Sequence, residues 1–540
     1  MNFAGKGLHW LTAKNHRIFF FFLALAGLLY LPSLDAKFTS DFIFWSNRYD
    51  KQGTAGLKNG FGDPSLKYMY HLLMYGCYRL FGTHPFGWYL ICLGLHALNA
   101  TLLQVLLRKI LQHLQIARPW LPLTATLFFL LSPYQTEAVV WAATIHFLFA
   151  SVMLLTGLIA LIRFWETGAL KALAGLFIPF GIGLFATEAI FVLPLLLCCL
   201  TALFVLRSDL KIPLGKTILW ALLPAFLMVA GFVGLTYLRF GNPVGHYGAA
   251  MHLNTDLSYI GVNCFKYFLK FVLWFRYLPF SHAAFLNYLD KDMNGVYVLL
   301  ALGTVLLLCL LLLRKTGRKG MLLWFLFFSF LAALLPVINL ETLFVKDIQS
   351  DRYGYLPSLF FYPLAAAAIS FLFGEWLRKL VASLYLIASI ICLSNAVQKW
   401  RFAGEMIENL VRTFPHKASG RVYILNLVDT YGGAYCLRMG FDVKLTRKYG
   451  HDLPDITSLA HYTMYAPEDS VSVVPKGNNT YEVRAGGWGG WLWGMPLGDS
   501  PEYEVTTDGS TRQYTIHFKD LKPEDMILYQ AGPEWRVLSR

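Results

Sequence analysis

Apolar runs without charge recur through residues 18–395, and they restrict this chain to a polytopic membrane protein. Ile18 to Leu34 and Met321 to Leu335 contain no Asp, Glu, Lys or Arg. About 20 apolar residues cross the hydrocarbon core of a bilayer. A segment alone in lipid must satisfy its own backbone hydrogen bonds, which leaves the α-helix. The expected architecture is therefore an all-α transmembrane domain over residues 1–395, followed by a small α+β, β-rich soluble domain over 396–540. The net charge of +14 does not point to nucleic acid, because residues 396–540 hold 16 Lys+Arg against 17 Asp+Glu. The basic excess sits among the membrane segments, where short basic loops set orientation.

Charge asymmetry gives a topology. Lys6, Lys14 and Arg17 place the N-terminus in the cytoplasm, and no small-residue cleavage site follows the first run, so it reads as a retained anchor. Arg108-Lys109, Arg163, Arg207–Lys216, Arg314–Lys319 and Arg378-Lys379 all fall inside if the spans are 18–34, 85–107, 119–133, 138–162, 171–186, 189–206, 217–238, 295–313, 321–340, 355–374 and 381–395. That is eleven spans, with the C-terminal domain outside. The outer loops are then 35–67, which carries Asp41, and those near 133–137, 187–188, 239–294 and 341–354. Residues 65–81 read as an amphipathic helix on the outer interface, and 257–280, with both ends outside, as a re-entrant or interfacial helix. Of eight cysteines only Cys436 lies in the polar region, so they form no disulfide framework and read as small buried hydrophobes.

Four carboxylates stand out against this background. Asp41, Glu137, Glu188 and Asp351 lie at or beside the ends of apolar stretches, and the topology puts all four on the outer side. Carboxylates at a bilayer edge are costly unless they pair, bind metal or react. Glu137 sits in Pro133-Tyr-Gln-Thr-Glu-Ala-Val139, Glu188 in Ala186-Thr-Glu-Ala189, and Asp351 opens Asp-Arg-Tyr-Gly-Tyr-Leu-Pro-Ser358 after Pro336-Val-Ile-Asn339. His96, His146, His246 and His252 read as core residues, with no spacing that makes a zinc site.

The order of these motifs resembles the GT-C glycosyltransferases, specifically the protein O-mannosyltransferase superfamily. The transmembrane-and-TPR O-mannosyltransferases and their bacterial relatives are the most similar. Ser40-Asp41, Asn47 and Asp50 stand where that family has an Asp pair, an Asn and an Asp. Phe81-Gly-Thr-His-Pro85 and His96-Ala-Leu-Asn99 match its next two motifs, and the three turns above match the rest. The likeness covers residues 18–395. Ser40 replaces the first Asp of the pair and Thr187 the usual Lys before Glu188. Thr144-Ile145, followed by His146, replaces a Gly-Arg, and residues 396–540 carry no TPR array.

The resemblance implies a membrane enzyme that transfers a sugar from a polyprenyl-phosphate donor to an acceptor hydroxyl on protein, lipid or glycan. Transfer would occur with inversion, in a bacterial inner membrane with the site and C-terminal domain facing the periplasm. Asp41 would act as base. Arg352, with Lys37, Arg239 and Lys346, would receive the leaving phosphate. Glu137 and Glu188 would position sugar hydroxyls, hold a divalent cation (Mg or Mn, the one candidate cofactor) or pair with Arg352. Asp351 would orient Arg352, while Asp35, Tyr353, Asn339 and His96 support the site. Trp45 and Trp141 are placed to stack on a sugar ring. The partners implied are the lipid-linked donor, the acceptor and the bilayer, without nucleic acid. The alternatives are a transporter or flippase, and a non-catalytic assembly protein of the same fold whose site has decayed. Transporters hold charges at mid-membrane on repeated, broken helices, whereas these charges sit at outer turns.

After Trp400 the pattern changes to an amphipathic helix over 399–415, a buried strand from Arg421 to Asp429, and short alternating segments from Ser470. Gly486-Gly-Trp-Gly-Gly-Trp-Leu-Trp493 admits three readings: a membrane-edge anchor, an acceptor-binding lip or core packing.

Overall fold

The computed structural model describes residues 14–34, 36–62, 65–205, 212–243, 256–272, 277, 317–338, 351–416, 418–467, 469–486, 490–509 and 512–538. Asp35, Asn339, Lys346, His246, His252 and the expected span 295–313 lie outside these residues. The chain divides into two compact units: Met1–Leu34, Gln52–Pro279 and Asn294–Ala396 form one, and Asp35–Lys51, Phe280–Met293 and Val397–Arg540 the other.

The first unit is helical. Its elements are α1 (Asn15–Leu29), then, after α2 (Asp41–Gln52) of the other unit, α3 (Thr54–Gly62), α4 (Tyr68–Phe81), α5 (Pro85–His113), α6 (Leu121–Leu130), the single turn α7 (Thr136–Val140), α8 (Ile145–Thr167), α9 (Lys171–Leu184) and α10 (Leu193–Val205). The helical run α11 (Leu214–Phe240), α12 (Leu257–Val272), α13 (Arg318–Leu334), α14 (Tyr355–Leu372) and α15 (Glu375–Arg412, of which the part up to Ala396 belongs to this unit) follow. Among the described residues, six helical runs are long and apolar enough to cross a bilayer, against the eleven expected. They are Pro85–His113, Ala142–Thr167, Glu188–Val205, Leu214–Phe240, Asp351–Leu372 and Glu375–Arg412. Asn15–Leu29, Leu121–Leu130 and Lys171–Leu184 are apolar but shorter.

Small residues bring these helices close. Gly168, at φ +70°, ends α8 and turns the chain into α9. A Cβ on Gly157 would stand 3.0 Å from Leu176, and one on Gly175 3.3 Å from the Ala160 Cβ, so both glycines serve the close α8–α9 contact. Polar side chains brace the interior. The His96 ring bonds the Tyr355 hydroxyl through Nδ1 at 2.8 Å and the Leu130 carbonyl through Nε2 at 3.2 Å, and Asn99 donates to the Leu148 carbonyl at 2.8 Å. His96 is thus a brace between α5, α6 and the start of α14.

Two elements go beyond the sequence reading. One face of α12, expected as a re-entrant or interfacial helix, is buried in protein: Tyr267, Lys270 and Phe271 are all buried, and Phe271 stacks on Phe361 at 4.8 Å. Phe268 and Phe271 find ring partners on α13 and α14. The amphipathic helix expected at 399–415 is the continuation of α15, a single helix of 38 residues. No proline interrupts it before Pro415, and the polar stretch Ser394–Lys399 costs only tenths of a kcal/mol per residue in helix propensity, about 0.5.

The second unit carries the β-structure expected after Trp400, with thirteen strands among the described residues and α16 (Phe441–Tyr449). β4 (Ile456–Ser458), β1 (Val422–Ile424) and β12 (Met526–Ala531) pair in parallel, with β13 (Glu534–Val537) antiparallel on β12. A second sheet runs β3 (Ala434–Tyr435), β2 (Leu427–Tyr431), β5 (His461–Met464), β8 (Trp491–Trp493), with an irregularity at Asp429. The third is an antiparallel sheet in the order β6 (Val471–Gly477), β7 (Thr480–Ala485), β11 (Gln513–Phe518), β10 (Tyr503–Thr506), β9 (Gly498–Asp499). Buried Gln530 of β12 is braced by Asn426, which follows β1, and by β2: the Gln530 backbone N–H donates to Asn426 Oδ1 at 2.9 Å, and the Gln530 side chain accepts from the Val428 N–H at 3.0 Å. Leu492 of the Trp/Gly-rich stretch is buried, while Trp491 and Trp493 are half-buried on the edge strand, which favours packing for that part of the segment.

Residues Asp35–Lys51 belong to this second unit, and glycines make the fit. Gly440 has φ +86°, and a Cβ there would stand 2.8 Å from Ile43. Gly440→Ala is expected to lower stability by about 2 kcal/mol, the sum of left-handed strain and a small clash. Thermal melting of the purified protein checks this, and an unchanged melting temperature refutes it.

Candidate active site

The sequence around Glu137 builds a rigid turn. α6 ends at Leu130, and Ser132 Oγ caps the next turn by accepting from the Tyr134 N–H at 3.2 Å. Thr136 Oγ donates to the Pro133 carbonyl at 2.7 Å, and Thr144 Oγ closes the other side on the Trp141 carbonyl at 2.6 Å. Gln135 donates to Ser358 Oγ at 2.8 Å, tying the turn to α14. Glu137, 3% exposed, is held in this frame.

The turn at Asp351–Gly354 faces it. Arg352 forms an ion pair with Glu137, and its backbone N–H donates to Glu137 Oε2 at 3.3 Å. The guanidinium lies 4.4 Å from the Tyr353 ring centroid and 5.1 Å from that of Trp141. A Cβ on Gly354 would collide with the Tyr134 ring, so this approach requires glycine. Burial pushes the Glu137 pKa up, and the Arg352 guanidinium pulls it back only in part.

Asp351, expected to orient its neighbour Arg352, has partners of its own. Its fully buried carboxylate pairs with Lys270 of α12 at 3.1 Å and accepts from the Tyr277 hydroxyl. Two ion pairs of opposite polarity therefore sit side by side on consecutive residues. Glu188 pairs with Lys67 at 3.1 Å, not with Arg352. Lys67 leads into α4, whose Tyr68 stacks on Phe185 at 5.7 Å and accepts from Arg239. Arg239 also donates to the Phe61 carbonyl at 3.2 Å, so this corner of the unit holds two cations.

Sequence reasoning missed Lys67, Lys270 and Tyr277. Lys270 did carry a signal, as a lysine within the largely apolar stretch Cys264–Val272. Lys67 carried none, since its partner is distant in sequence.

Asp41 lies in the second unit, as the first residue of α2. Ser40, at φ +48°, donates its N–H to the Cys436 carbonyl at 2.8 Å, and its Oγ donates to Asp41 Oδ1 at 3.1 Å. Asp50 pairs with Arg447 of α16. Lys37 packs its backbone against Gly404. Asp41 and Lys37 thus belong to one unit, and Glu137, Glu188, Asp351, Arg352, Tyr353, Arg239 and His96 to the other. Among the described residues no group of three or more His, Cys, Asp or Glu side chains is arranged to hold a metal ion.

No protein-family model matches the chain, and no curated protein matches it. Crystal structures of ArnT from Cupriavidus metallidurans, one bound to undecaprenyl phosphate and one in the apo state, are similar at 10% identity, with TM-scores of 0.37 and 0.38. Each comparison covers 92% of this chain and 97% of ArnT.

Proposed function

We propose that the chain is a GT-C-type membrane glycosyltransferase that moves a sugar from a polyprenyl-phosphate donor to an acceptor hydroxyl, with inversion, on the non-cytoplasmic face. The observation that carries the reading is the pair of buried, adjacent ion pairs Glu137–Arg352 and Asp351–Lys270. Each costs several kcal/mol in desolvation, about 3–5 if one partner is lost, so neither is retained cheaply. They fall on motifs whose order resembles the O-mannosyltransferases.

The chemistry follows from the residue types. Asp41 takes the proton of the acceptor hydroxyl, whose oxygen forms a bond to the anomeric carbon. The bond from that carbon to the phosphate oxygen breaks, and its electron pair leaves with the polyprenyl phosphate. Arg352, together with Lys67 and Arg239, stabilises the charge that develops on the leaving phosphate. Glu137 and Glu188 hold those cations in place and offer acceptors to sugar hydroxyls.

The test is to incubate purified protein in nanodiscs with polyprenyl-phosphate hexoses and to follow donor consumption and the anomeric configuration of the product. Consumption with inversion is expected; retention removes the direct-displacement step, and no consumption of any hexose donor removes the reading. Orientation has its own check: Asn478→Cys should react with an impermeant maleimide from outside, and Thr167→Cys only after the membrane is opened. Equal labelling at the two sites sinks the assigned topology.

A further inference from the structure

We infer that His146 contacts a hydroxyl of the donor hexose, and so reads the sugar rather than the lipid phosphate. The inference rests on the glycosyltransferase reading above and names the part of the substrate that this residue takes.

Every residue from Phe128 to Ile145 is buried, and His146 is the first after them whose side chain regains access to its surroundings. Ring contacts lead from it in two directions. Tyr70 meets it edge-on at 4.8 Å and continues to His71 at 5.1 Å, on the helix that Lys67 precedes. Phe147 continues to Tyr353 at 5.9 Å, the ring beside the Arg352 guanidinium. The imidazole thus stands between the Lys67–Glu188 and Arg352–Glu137 pairs, and both cations act on it electrostatically.

Its Nδ1 is buried and has no hydrogen-bond partner among the described residues. The Ala143 backbone, three residues back, also acts on the ring. A buried polar nitrogen left unbonded is costly, and a ligand that bonds it recovers that cost. An imidazole offers one donor and one acceptor, as a hydroxyl does. A phosphate oxygen only accepts, and the lysine and arginine side chains at either side serve it better. The ligand that fits between two charged pairs, on an amphoteric ring flanked by Tyr70 and Phe147, is a polyol.

The experiment measures binding by wild type, His146→Ala and His146→Gln in nanodiscs. The probes are undecaprenyl phosphate alone and undecaprenyl phosphate carrying glucose or mannose. Wild type should bind one hexose-bearing lipid more tightly than the bare phosphate. His146→Ala should lose about tenfold of that affinity, the worth of one neutral hydrogen bond to a buried group, with no change for the bare lipid. His146→Gln, which also donates and accepts, should regain most of it. The inference is overturned if His146→Ala weakens both lipids alike or neither, or if wild type does not distinguish them. Wild type that binds no polyprenyl phosphate at all would instead sink the glycosyltransferase reading, and this inference with it.

Discussion

Asp41→Asn is expected to lower sugar transfer by about a hundred- to ten-thousand-fold, the usual contribution of a positioned general base. Donor binding should be unchanged. Asparagine keeps the shape of the side chain and still accepts the hydrogen bond from Ser40 Oγ. The anchor of the α2 N-terminus is the Ser40 N–H on the Cys436 carbonyl, a backbone contact that the substitution leaves alone. The helix loses only a favourable charge at its first turn, about 0.3–1 kcal/mol. A loss of turnover with intact melting and intact donor binding therefore isolates proton transfer. Full activity in this variant removes Asp41 as the base.

Arg352→Ala should destabilise the protein by about 3–5 kcal/mol and abolish transfer, because it leaves the buried Glu137 carboxylate without its cation. The effect has a predictable pH dependence. Burial already raises the Glu137 pKa and Arg352 opposes the rise, so the variant's folded pKa lies further above its unfolded value. A raised folded pKa contributes stability at low pH that is lost as pH rises. Arg352→Ala should thus melt closest to wild type below about pH 4, where Glu137 is protonated in both states, and fall furthest behind at alkaline pH. Adding Glu137→Gln should return stability without returning transfer, because the positive charge for the leaving phosphate is still missing. A double variant no more stable than Arg352→Ala would mean that the pair is not the source of the loss.

Much of the site could be read in the sequence because acidic residues at the ends of apolar runs are conspicuous. Glu137, Glu188 and Asp351 emerged that way, and the Glu137–Arg352 pair was among the alternative roles that the family resemblance implied. The choice among those alternatives could not be read. Glu188 goes to Lys67 and Asp351 to Lys270. Lys67 sits in a segment read as an interfacial helix and Lys270 in one read as re-entrant or interfacial, where a lysine has an ordinary snorkelling role. His146 looked like a core histidine, and nothing local marks the ring contacts on either side of it.

The sequence by itself determined that the chain is a helical membrane protein with a β-rich portion after Trp400. Hydropathy and alternation are local properties, and lipid leaves the backbone no other choice. Only the tertiary structure decided which cation neutralises which carboxylate. It also decided that Asp35–Lys51, which carries Asp41, belongs to the same compact unit as the C-terminal strands. Both depend on contacts between residues hundreds of positions apart, such as the Ser40 N–H on the Cys436 carbonyl, and no local pattern encodes a backbone hydrogen bond to a distant strand.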